Sequence, residues 1–204
     1  MRAVPRTGIG RAIKPLEGAA DIPFVRRLRS EKGFGMLELL MAMTVLNIGI
    51  LAIVAAFNSG ALALSRASRA STATALADTQ MELFRGIKYA NIQQTTSEWN
   101  SAVADSTWTA DTVYQQNMVS PTPPKALVAT VTTCPNSNAN SCDPSFATNG
   151  PDGRSYRIDT YLYSDTPNSY SGQVKVITIV VRAANDLGHS LARTTSTFDA
   201  STAS

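Results

Sequence analysis

Between Phe34 and Leu64 the chain carries one charged residue, Glu38, in a stretch that is otherwise apolar, small or weakly polar. That stretch is longer than the about 20 residues a helix needs to cross a bilayer. A carboxylate inside it costs roughly 3 kcal/mol on insertion scales, so an ionisable group there signals function. The chemistry it offers is ion pairing: Glu38 asks for a cation where an unpaired charge is expensive. Other reactive side chains are few. Cys134 and Cys142 are the only cysteines, and they flank a polar segment from Pro135 to Ser141. In an oxidising compartment they are expected to form a disulfide, stabilising by about 2–3 kcal/mol. Two thiols without further soft ligands make a poor metal site. His189, the only histidine, stands beside Gly188 and reads as a surface hairpin residue. No nucleophile elbow, phosphate loop or zinc motif is present, so no catalytic residue, metal or cofactor is expected and the chain does not read as an enzyme.

The elements around Glu38 set its position. Residues 1–33 hold eight Lys or Arg (Arg2, Arg6, Arg11, Lys14, Arg26, Arg27, Arg29, Lys32) against Glu17, Asp21 and Glu31, a formal +5. The rest, with ten basic and twelve acidic residues, is −2, so the whole-chain basicity belongs to the leader. The cluster Arg26 to Lys32 abuts the apolar run and places the N-terminus in the cytoplasm and the C-terminal part across the membrane. That topology accounts for the basic leader without nucleic acid as a partner. A transmembrane segment is expected over about residues 34–57. An ordinary secretory signal is the competing account: Ala61-Leu62-Ala63 resembles a signal-peptidase site that would release a soluble protein. Against it stand the length of the apolar region, beyond the ~7–15 residues of a signal core, and the presence of Glu38.

The run Lys32-Gly33-Phe34-Gly35-Met36-Leu37-Glu38-Leu39-Leu40 resembles the N-terminus of type IV prepilins and of the pseudopilins of type II secretion. In that family a prepilin peptidase cuts after a glycine, the new N-terminal residue is usually phenylalanine and is N-methylated, and a glutamate stands five residues into the mature chain. Gly33, Phe34 and Glu38 match these positions. The resemblance implies cleavage between Gly33 and Phe34, methylation of Phe34, and pairing of one subunit's Phe34 ammonium with a neighbour's Glu38. Such a pair, about 4 Å apart, gains on the order of 4 kcal/mol at an effective dielectric near 20. It would also set axial register. The chain departs from the pattern in its long leader and in having no proline between Pro23 and Pro121, where major pilins often carry one in the helix. The second departure leans toward a minor pilin or minor pseudopilin. The resemblance also makes calcium conceivable near Asp143 and Asn149-Gly150-Pro151-Asp152-Gly153. The spacing there matches no defined calcium loop and reads as a turn.

Beyond the membrane the pattern predicts one long helix from Phe34 to about Tyr89. Ala73, Leu76, Ala77, Phe84 and Ile87 fall on one side, while Asp78, Glu82 and Arg85 fall on another. Gly49, Gly60 and Gly86 are weak points, and small residues around Ala52, Ala55, Ala56, Gly60 and Ala61 allow close helix approach. Residues 91–124 read as an irregular polar connection with a short helix near Glu98 to Ala104, its Trp99, Trp108 and Tyr114 packing onto the body. Strands are expected at Lys125 to Thr133, Ser155 to Tyr163, Gln173 to Ala183 and Ser190 to Phe198, with a hairpin at Ala184-Asn185-Asp186-Leu187-Gly188. The expected fold is α+β and pilin-like. Its long N-terminal helix spans the membrane with its first half and packs with its second half on a small antiparallel sheet, which forms a head of residues 91–204.

Two functional classes follow. The first is a structural subunit of a type IV pilus-like filament or a type II secretion pseudopilus. Its partners would be other pilin or pseudopilin subunits, the prepilin peptidase, an inner-membrane assembly platform and membrane lipid, in the inner membrane and then in a surface or periplasmic filament. The second is a binding module, membrane-anchored or secreted by a signal peptide, that does not polymerise. Glu38, placed five residues after the expected cut, separates them, because an inert anchor does not require it.

Overall fold

The computed structural model describes residues 35–166 and 173–200. The leader and the expected cleavage and methylation site at Gly33 and Phe34 lie outside the described residues. The chain divides into two compact units, Met1–Ala55 and Ala56–Ser204.

In the first unit the described residues are helical from Met36 onward, and every one is exposed. Leu, Met, Ala and Ile dominate, no proline interrupts, and the Gly35 carbonyl accepts from the amides of Glu38 at 2.9 Å and Leu39 at 3.2 Å. The helix, α1, is assigned as Met36–Arg85 and is long and apolar enough to cross a membrane.

In the second unit α1 begins apolar and ends amphipathic. Large apolar side chains stay exposed through Phe57, Leu62 and Leu64, two turns beyond the expected end of the membrane segment. From Thr72 one face is buried, with Ala73, Ala77, Met81 and Phe84 at helical spacing. The helix stops at Arg85, short of the expected Tyr89. Gly86 therefore lies past the last turn, its amide donating to the Glu82 carbonyl at 3.0 Å. A single 3₁₀ turn, Tyr89–Asn91, follows. Lys175 secures it by donating to the Tyr89 and Ile92 carbonyls, both at 2.7 Å.

The connection contains the short helix expected near Glu98 to Ala104, and the part beyond it that was expected to be irregular is largely helical too. A two-residue strand, β1 (Gln94–Thr95), leads into α2 (Thr96–Ala104), α3 (Ser106–Thr109), α4 (Thr112–Tyr114) and a π turn at Gln115–Val119. The first expected sheet strand shrinks to β2 (Ala129–Val131), which pairs in parallel with β1 outside the main sheet. Its place in the main sheet goes to a strand absent from the sequence reading, β3 (Ser145–Asn149), followed by β4 (Ser155–Asp165), β5 (Val174–Ala183) and β6 (Asp186–Asp199). These four run antiparallel in the order β3-β4-β5-β6. Lys125 to Thr133 had the composition of a strand, but Pro121, Pro123 and Pro124 remove amides just before it.

Both faces of the sheet are covered, which explains the near-continuous burial of β4 and β5. Tyr156, Ile158, Leu162, Ile177, Ile179 and Val181 pack against Ala73, Ala77, Met81 and Phe84 of α1. On the opposite face Tyr161, Tyr163 and Val180 pack against Ala102, Trp108, Val113 and Met118, with Trp99 and Tyr114 at the margin. Antiparallel sheets often leave one face to water; here a helical stretch closes it. The architecture is α+β, with the sheet between two helical layers.

Candidate functional site

Glu38 sits in the first turn of α1, exposed, where a carboxylate complements the partial positive charge of a helix N-terminus. No described residue supplies it with a cation.

The two cysteines are joined, with Cα atoms 5.7 Å apart. Their loop includes a 3₁₀ turn at Ala139–Ser141 and is fastened to α1, since buried Gln80 donates its amide to the Asn140 carbonyl at 2.9 Å. Gln80 is therefore the tether of the disulfide loop. His189 is exposed beside Asp186, with Nδ1 3.0 Å from the carboxylate.

Asn149 to Gly153 is a structural turn joining β3 to β4. Gly153 adopts a φ of +72°, and Gly150 is buried where a Cβ would stand 2.7 Å from Thr72 Cγ2 and 2.8 Å from Tyr156 Cε2. The Asp152 carboxylate is engaged within the turn: Oδ1 accepts from the Arg154 amide at 3.2 Å and Oδ2 from the Tyr156 hydroxyl at 2.7 Å. Asp143 accepts from the Ser145 amide at 2.9 Å, and burial holds its carboxyl above the ordinary range.

A cluster that the sequence reading missed lies on the sheet face opposite α1. Strand alternation brings Arg157 and Asp159 of β4 and Arg182 of β5 to that face, beneath α3 and α4. Arg182 is buried and pairs with both Asp159 and Asp111. Arg157 bridges Asp159 at 2.8 Å and Asp105 at 2.6 Å, and Arg193 of β6 grips both oxygens of Asp111 at 3.0 Å. Two of these carboxylates also cap helices: Asp105 accepts from the Thr107 amide and Asp111 from the Val113 amide, both at 2.8 Å. Burial pushes the Asp111 carboxyl up, but Arg193, the Val113 amide and the charge of Arg182 outweigh it and hold it below the ordinary range. Asp105 is held low in the same sense by the Thr107 amide and Arg157, against its own burial. Three carboxylates answer three guanidinium groups, so the cluster neutralises itself. A cleft of about 520 Å³ opens above it, lined among others by Ser106, Thr107, Thr112, Leu187 and Ser190. The titratable groups at its floor, Asp111, Arg182 and Arg193, are already paired with one another, so the arrangement docks the helical stretch on the sheet. Charged residues inside the apolar strands, and the Asp-Ser-Thr and Asp-Thr pairs at 105–107 and 111–112, were the available signals.

Compared with protein-family models, with curated proteins and with solved structures, the chain finds no match in any of the three.

Proposed function

We propose that the chain is a structural subunit, minor in its assembly, of a type IV pilus-like filament or a type II secretion pseudopilus. In this reading a prepilin peptidase cuts it after Gly33, and it is stored as a single-pass inner-membrane protein with the head outside the cytoplasm. It then joins other subunits, through the assembly platform, by its apolar helix. The observation that carries the reading is Glu38, a lone carboxylate in the first turn of an exposed apolar helix, five residues beyond a Gly33-Phe34 bond. A head built around the amphipathic end of the same helix supports it, as does a disulfide, which suits an extracytoplasmic compartment. The test is intact mass and N-terminal sequencing of the protein from its native membrane. A chain starting at Phe34 and heavier by one methyl group is expected. A start at Leu64 would mark a secreted protein, and an uncut Met1 terminus in a cell holding the peptidase would mark a plain anchor; either ends the filament reading.

A further inference from the structure

The Cys134–Cys142 bond closes a loop of seven residues, Pro135 to Ser141, and none of those from Pro135 to Asn140 is buried. Neither apolar core contains a side chain from this loop. Hydrogen bonds fasten it instead, to three elements. Gln80 of α1 donates to the Asn140 carbonyl at 2.9 Å, Asn136 Nδ2 donates to the carbonyl of Asn91 in the 3₁₀ turn at 3.1 Å, and the Thr95 amide of β1 donates to the Cys142 carbonyl at 3.1 Å. Within the loop the Ser141 hydroxyl donates to the Asn138 carbonyl at 2.7 Å. Each such bond replaces one to water and stabilises little in net terms, whereas ordering the whole loop is costly. The cross-link makes up the difference by restricting the open chain. The loop also covers part of the head. Asn138 and Asn140 wall a cleft of about 300 Å³ whose other sides include Leu76 and Leu83 of α1, Phe146 of β3 and Ile158 of β4. This is the seam where the helix meets β3, and Leu76, Phe146 and Ile158 belong to the apolar layer between helix and sheet.

We propose that the Cys134–Cys142 loop is a redox-operated lid on this seam, shut while the disulfide stands and released when a dithiol reduces it, with the four-stranded sheet left folded. Cys134 is half-buried and Cys142 buried, so a thiolate of the reductant attacks the Cys134 sulfur and expels the Cys142 thiolate, which takes up a proton. The second thiol of the reductant then closes its own disulfide and releases Cys134 as a thiol. Two electrons and two protons pass to the protein, and the dithiol leaves oxidised. A compartment that keeps thiols reduced holds the lid open, and an oxidising one shuts it.

The experiment follows amide hydrogen exchange of the folded full chain in detergent micelles, with and without dithiothreitol, by mass spectrometry. Reduction is expected to speed exchange in peptides covering 91–95 and 138–142 on the order of tenfold or more, while β4 and β5 keep their protection. The double variant Cys134→Ser, Cys142→Ser should reproduce that pattern without reductant and show faster hydroxyl-radical labelling of Phe146. Should the double variant fold poorly, the wild-type chain, reduced and alkylated, serves for the labelling. Unchanged exchange after reduction, with both thiols counted, would mean that hydrogen bonds alone hold the loop, and overturns the lid. Equal loss of protection in β4 and β5 overturns it too, because the bond then stabilises the head as a whole. Faster exchange in the loop with flat labelling of Phe146 leaves the seam closed and denies the loop its covering role.

Discussion

Glu38 and Arg182 pose the same electrostatic problem in two media. In the head, Arg182 is answered on the spot by Asp159 and Asp111, and both carboxylates carry further hydrogen bonds. Removing it leaves Asp159, which is wholly buried, with Arg157 as its one remaining counter-charge among the described residues. Arg182→Ala should therefore cost about 3–5 kcal/mol, the usual range when one partner of a buried pair is deleted. Urea unfolding followed through the Trp108 signal checks this, and an unmoved midpoint would show the pair to be solvated. Glu38 has no such partner among the described residues, and under the filament proposal its counter-charge comes from a neighbouring subunit. Glu38→Ala should leave carbonate-resistant insertion unchanged while filament incorporation falls sharply, since a pairing worth on the order of 4 kcal/mol is forgone. Normal incorporation of the variant, scored in sheared surface fractions, would remove the pairing argument.

The long helix, the β4, β5 and β6 strands and the disulfide were legible because each depends on local pattern: apolar runs, alternating Val, Ile and Thr, and two cysteines around a polar loop. What was not legible depends on partners distant in sequence. Ser145 to Asn149 has little strand character of its own, and becomes β3 because Phe146 and Thr148 find register partners in Ile158 and Tyr156. Beyond the expected helix near Glu98 to Ala104, the segment 105–119 reads as polar linker. It forms short helices because Asp105 and Asp111 cap them and Trp108 stacks on Tyr161, with ring centroids 4.6 Å apart. The charged cluster was hidden for the same reason, since Asp105 and Arg157 meet only after the sheet is built. The β3–β4 turn shows how closely these elements fit. Gly150→Ala would drive a Cβ to 2.7 Å from Thr72 Cγ2, a contact that must be relieved by moving helix or turn. A loss of about 1–3 kcal/mol is expected, as for other overpacked sites. Thermal unfolding measures it, and wild-type stability would mean that the turn has slack.

Taken whole, the head should be most stable over a broad neutral plateau, and both limits follow from its ionisable groups. Asp111 and Asp105 lie below the ordinary carboxylate value of 3.8, so their stabilisation is present above that value and lost as pH falls through their lower folded values. Tyr161 is raised, first by burial and then by the charges of Asp111 and Asp159, and burial raises Tyr163 and Tyr156 as well. A phenol favoured in its neutral form stabilises fully below its ordinary value of 10.0 and ceases to do so as pH rises past it. Urea midpoints of the full chain in detergent should therefore stay level between roughly pH 5 and 9 and fall on both sides. A midpoint that declines steadily through neutrality would contradict the burial of this cluster. The sheet that carries these groups ends, on one side, in the fourteen-residue strand β6, bonded only to β5 within the main sheet. Among the described residues its outer row of amides and carbonyls pairs with no further strand, the kind of rim along which crowded copies of a protein stick together. Register shifts between Val181 and Ala183 skew one end of that rim. A protein kept at high density in a single plane would thus depend on that skewed end against unintended sheet-to-sheet fusion.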